Sequence, residues 1–208
     1  MQIPPSAPSA PSAPSAPSVA SAASSPSSTA APDGPRRALL VIDMQQGLSN
    51  GSDAPFDKDR VLANTRQLIA RAREAGAPIF AARHTGPAGS PIAPGSPLTQ
   101  LLPQLGIEAQ RDRVFDKTRP SCFEGTGLAT WLAEAGIAEL VIAGMKTEFC
   151  VDTTCRAAAG LGFRPVLVAD AHTTTDSPLL QAELIIGHHN RTLGGAFAQL
   201  VQTADCRF

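Results

Sequence analysis

The sequence predicts an α/β domain: a doubly wound, parallel sheet of about five to six strands with helices on both faces, a Rossmann-like three-layer arrangement. Three observations predict it. Short, continuously apolar runs, above all ALLVI at 38–42, read as strands buried on both faces. Segments with apolar residues at helical spacing alternate with those runs at a period of about 20–30 residues. Gly76, Gly136 and Gly162 each follow such a helical segment, where a left-handed residue ends a helix.

The elements follow in order. After the 38–42 strand, residues 57–75 form a helix, because Val61, Leu62, Thr65, Leu68, Ile69 and Ala72 make one stripe. Residues 78–83 (PIFAAR) are the second strand. The Pro- and Gly-rich stretch 86–106 is long for a connection inside a compact domain and reads as a functional or binding arm, with one helical turn near 98–102. Strand three is 113–117. A helix at 126–135 turns Leu128, Trp131 and Leu132 inward. Strand four is 139–144, a helix spans 148–161, and strand five is 164–170. Ser177 and Pro178 supply an N-cap and a first-turn proline for a helix at 179–186. A weaker helix is expected at 192–201.

Residues 1–35 stand apart. Ten Ser, nine Pro and nine Ala fill most of them, including four Ser-Ala-Pro units at 6–17. Almost no large apolar side chain is present to offset ordering, so the reading is a disordered tail on a single domain at 36–208. The net charge of the chain is −1, and 17 Lys and Arg face 18 Asp and Glu. This balance argues against a nucleic-acid partner or a membrane surface, which call for clustered basic residues. No run reaches the roughly 18 apolar residues of a membrane span. The N-terminus lacks a signal-peptide pattern, so a cytoplasmic setting is expected. Cys122, Cys150, Cys155 and Cys206 form no CxxC pair and suggest neither a zinc site nor a disulfide scaffold.

Right-handed crossovers place the C-terminal ends of all parallel strands along one edge, where open α/β sheets carry their sites. Three reactive groups end three strands there: Asp43, Lys117 and Cys150. An acid, an amine and a thiol together suit a nucleophile with a base and an electrostatic partner. A cysteine opening a helix is also expected to favour the thiolate. Each residue has a plainer reading: a turn cap, a solvated strand end and a small packed side chain.

ALLVIDMQ (38–45), FDKTRPSCFEGTGL (115–128), VIAGMKTEFCVDTTCRAA (141–158) and VLVADAHTTTDS (166–177) resemble the isochorismatase-like cysteine hydrolases over about residues 38–201. Within that family the likeness is to uncharacterised cysteine hydrolases and streptothricin hydrolase-like amidases. The resemblance implies the doubly wound fold and a catalytic triad of Asp43, Lys117 and Cys150. It also implies a cis peptide between Met145 and Lys146, with the backbone amides of Lys146 and Cys150 as oxyanion hole. Nicotinamidases of the family carry a metal on an Asp and two His. Residues 50–59 contain no His here, so neither metal nor cofactor is expected.

His84, Phe123 and Phe149 are the substrate-binding candidates. Cys122 reads as pocket wall, Cys155 and Trp131 as core, and Glu148 and Asp152 as helix caps. His172, His188 and His189 read as capping, packing or interface residues. The function expected is metal-independent hydrolysis of a C–N bond in a small-molecule amide, lactam or imide through a Cys thioester. The alternatives are hydrolysis without a covalent step, as in isochorismate cleavage, and a catalytically idle binding or scaffold protein. A homodimer or higher homo-oligomer is expected from the 86–106 arm and the apolar 193–201 segment.

Overall fold

The computed structural model describes residues 36–51 and 53–208. The expected disordered tail at 1–35 lies outside the described residues. Six parallel strands form one sheet in the order β3-β2-β1-β4-β5-β6. They are β1 (Arg37–Ile42), β2 (Ile79–His84), β3 (Arg113–Lys117), β4 (Glu139–Met145), β5 (Arg164–Thr173) and β6 (Gln199–Val201). The helices are α1 (Gln46–Ser49), α2 (Lys58–Glu74), α3 (Leu128–Glu134), α4 (Asp152–Gly160) and α5 (Ala182–Leu193). None is long and apolar enough to cross a membrane among the described residues.

Alternation along β1 divides the core. Leu39 and Val41 pack with Val61, Leu68, Ile69 and Ala72 of α2 on one face. Ala38, Leu40 and Ile42 pack on the other with Leu128 and Leu132 of α3 and Cys155 and Ala158 of α4. All of these side chains are at most 2% exposed, which explains why β1 is continuously apolar and not alternating. Strand order reverses between β1 and β4, so a crevice opens beyond their C-terminal ends. Gly144 makes that junction possible. Its φ is +127°, and a Cβ there would lie 2.0 Å from Ile42 O, closer than any side chain can come.

The C-terminal part departs from expectation. Ser177 Oγ accepts from the amides of Leu179 and Leu180, yet helix α5 opens only at Ala182, whose amide donates to Asp176 Oδ1. No helix spans 192–201: α5 ends at Leu193, Gly195 takes a φ of +81°, and Gln199–Val201 adds to the sheet beside Val166–Val168. Paired glycines break the helical pattern, and a free β5 edge takes the apolar residues that follow. Strand β5 also runs beyond the expected 170 to Thr173, with an irregular register against β4 between Ile142 and Gly144.

Candidate active site

Asp43 follows β1 with a φ of +51°, a left-handed conformation that Asp tolerates better than most residues. Lys117 ends β3. Cys150 lies in a wide turn, Thr147–Val151, between β4 and α4, where the Val151 amide donates to Lys146 O five residues back. The Met145–Lys146 peptide that enters this turn is cis. Three elements distant in sequence thus meet at the crevice.

Lys117 is the centre of the cluster. Its Nζ lies 2.8 Å from Asp43 Oδ2, and it donates to Cys150 Sγ at 3.2 Å, to Arg119 O at 3.2 Å and to His84 Nδ1 at 3.1 Å. Both the Lys117 and Asp43 side chains are essentially sealed from solvent, at 0% and 1% exposure. Burial opposes the Lys117 charge, but Asp43 and the two neighbouring thiols outweigh it, and the ammonium is held above its ordinary value. Burial drives the Asp43 carboxyl above the usual carboxylate range in spite of the nearby ammonium. Asp43 Oδ1 has no hydrogen-bond donor among the described residues. That oxygen can take a proton.

Burial and then the Asp43 charge push the Cys150 thiol up to about 12, against the pull of Lys117. Burial thus favours the thiol form, whereas a cysteine opening a helix is expected to favour the thiolate. The reason is positional: Cys150 is buried in the turn, two residues before α4 begins, and is not exposed at that helix's N-terminus. Its proton must leave during attack, and a carboxylate with a raised pKa stands beside it.

His84 ends β2 and lines the cavity at Cys150, as does Phe149. Burial and the Lys117 charge lower the His84 pKa, so its ring is neutral near pH 7. Nδ1 accepts from Lys117, so Nε2 carries the ring proton and is the donor left for a ligand. Gln45 holds His84 in place: Oε1 accepts from His84 N at 2.9 Å, and Nε2 donates to His84 O at 3.0 Å and to Thr99 O at 2.9 Å. The sequence reading overlooked Gln45 as a functional residue, although it sits two positions after Asp43. Gly47, Leu48, Pro120 and Lys146 also line the cavity, with Ile92 and Leu98 from the 86–106 stretch that the sequence marks as a functional or binding arm.

Phe123 is a correction. It stacks on Phe163, with centroids 5.9 Å apart, and packs against the core instead of lining the cavity. Cys122 is likewise core and fully buried. His172 is placed beneath the turn. Its Nδ1 is 2.9 Å from Thr147 Oγ1, and its Nε2 is 2.9 Å from Asn190 Oδ1. Burial lowers its pKa to about 4, so it is a neutral bridge from α5 to the cysteine turn. His189 bonds Ile185 O on its own helix.

Asp43, His84 and Cys150 offer ligand atoms within 4.8 Å of one another. The Lys117 ammonium already sits within 3.2 Å of an atom of each. A cation therefore fills the position a metal would take, and no second His stands in the cluster. The nicotinamidase-type set of one Asp and two His does not fit these residues.

The isochorismatase domain matches residues 37–190. A streptothricin hydrolase of Streptomyces noursei is 42% identical over 151 residues, covering 72% of this chain and 59% of that protein. The chain thus spans little more than half of that relative. Nicotinamidase 3 of Arabidopsis thaliana is 29% identical over 84% of this chain and 87% of its own. The crystal structure of an isochorismatase family protein superposes with a TM-score of 0.75 at 35% identity, covering 80% of this chain and 98% of the other. With the doubly wound sheet and the cluster at its crevice, these likenesses establish that the chain belongs to the isochorismatase-like cysteine hydrolase family.

Proposed function

We propose that the protein hydrolyses a C–N bond of a small-molecule amide, lactam or imide through a thioester on Cys150, without a metal. The observation that carries this is the Lys117 ammonium within hydrogen-bonding distance of both Asp43 and Cys150. Similarity to a streptothricin hydrolase and a nicotinamidase supports the C–N assignment.

In this reading Cys150 Sγ attacks the carbonyl carbon while its proton passes to Asp43 Oδ1. Lys117 offsets the negative charge shared by the thiol and the carboxylate during transfer. The amides of Lys146 and Cys150 take the oxyanion, and His84 Nε2 and Phe149 contact the substrate. Asp43 returns the proton to the nitrogen as the C–N bond breaks. Water then attacks the thioester, again giving its proton to Asp43, and the thiol and a carboxylic acid are released.

Mass spectrometry of the wild-type protein mixed with a cleaved amide should detect an acyl group on the Cys150 peptide. Cys150→Ala should abolish turnover. Full turnover by Cys150→Ala would remove the covalent route, and with it the thioester. Dialysis against EDTA should leave the rate unchanged, whereas a rate lost and restored by a divalent cation would refute the metal-free mechanism.

A further inference from the structure

We infer that the cavity beside Cys150 selects a compact amide with an apolar body and no positive charge, and that Lys146 sets this charge preference; the inference rests on the amide-hydrolase reading above. The cavity is about 340 Å³, at the small end of the roughly 300–1,000 Å³ typical of ligand pockets. Its wall is largely hydrocarbon. Leu48 comes from α1, Ile92 and Leu98 from the 86–106 arm, and Phe149 from the cysteine turn. The arm lies close on α1 because Gly47 has no Cβ: one there would stand 3.0 Å from both Leu98 Cβ and Leu98 O. That contact brings Leu98 to the cavity.

The polar groups on the wall are mostly committed. Asp43 is the one carboxylate, and it is paired with Lys117. Gln45 spends both amide hydrogens on His84 O and Thr99 O and uses its oxygen for His84 N. No unpaired carboxylate lines the cavity among the described residues. Lys146 does line it, and among the described residues its Nζ makes one hydrogen bond, to Thr175 Oγ1 at 3.0 Å, a residue outside the cavity wall. An ammonium has three protons, so two remain for a ligand.

A cationic substrate would leave water for hydrocarbon and face a like charge, and the one open acceptor on the wall, Asp43 Oδ1, belongs to a carboxylate already paired with Lys117. An uncharged amide avoids both costs. A carboxylate at the far end of the ligand gains the Lys146 contact. His84 Nε2–H serves any of the three equally, since it is a neutral donor.

Para-toluamide, terephthalamic acid and para-(aminomethyl)benzamide share one amide and one ring and differ in charge at the opposite end. Titrated by calorimetry into Cys150→Ala protein, the first two should bind at least about tenfold more tightly than the third. Adding Lys146→Gln should shrink the difference between the carboxylate and ammonium probes by about tenfold or more. Equal or tighter binding of the ammonium probe, no binding by any of the three, or a preference that ignores Lys146→Gln would overturn the inference. Turnover of the same probes by wild-type protein reports separately on the chemistry. Probes bound in the expected order but never cleaved would count against amide hydrolysis and leave the charge selection standing. Cleavage with the ammonium probe favoured would sink the charge selection and leave hydrolysis intact.

Discussion

Lys117→Met tests the centre of the site. Methionine keeps much of the side chain's length and apolar bulk but removes the ammonium. At the observed 2.8 Å, an ion pair is worth about 6 kcal/mol of Coulomb energy at an effective dielectric near 20. Much of that is offset by the desolvation of both ions, so the net loss expected on stranding Asp43 is about 3–5 kcal/mol. Chemical denaturation at neutral pH measures it. The Asp43→Asn, Lys117→Met double variant strands no charge and should recover about 2–3 kcal/mol relative to additivity.

The pH dependence has a definite sign. Without Lys117, Asp43 is a buried carboxyl whose folded pKa lies above its unfolded value, so its stability contribution is fully present in acid and is lost as pH rises through the folded pKa. Lys117→Met should therefore gain stability relative to wild type as pH is lowered from neutral. If the single variant does not fold, recovery of folding in the double variant gives the same answer. Additive energies to within about 0.5 kcal/mol, together with no pH response, would refute the account.

Three other outcomes are expected. Gly144→Ala should cost at least about 3 kcal/mol, because its Cβ meets the backbone of Ile42 at a positive φ; a thermal midpoint near wild type would show that the β1–β4 junction yields. Peptide-mapped iodoacetamide labelling of Cys150 should rise about tenfold per pH unit from about pH 6 to pH 9, as a thiol with a pKa of about 12 requires, and a plateau below about pH 8 would mean a resting thiolate. We also propose that the protein self-associates, since Leu179, Leu180 and Leu184 are 91%, 50% and 59% exposed near the start of α5; sedimentation showing a strict monomer at micromolar concentration would exclude it.

Strand-helix alternation and the apolar β1 run were enough to predict a parallel sheet, because burial on both faces leaves a pattern that local sequence cannot hide. The same topology implied that Asp43, Lys117 and Cys150 share one edge. Local signals failed where tertiary contacts outweighed them. Residues 199–201 have no strand signature, and they pair because β5 presents a free edge there. Phe123 lies close in sequence to Lys117 but packs on Phe163, a contact between residues 40 positions apart that spacing does not encode. Gln45 was legible as a residue and not as a clamp, since its partners His84 and Thr99 come from the end of β2 and from the 86–106 arm. The identities of the reactive groups belong to the sequence. Their protonation states belong to the fold, because burial and distance determine whether a thiol, a carboxyl and an amine rest charged or neutral.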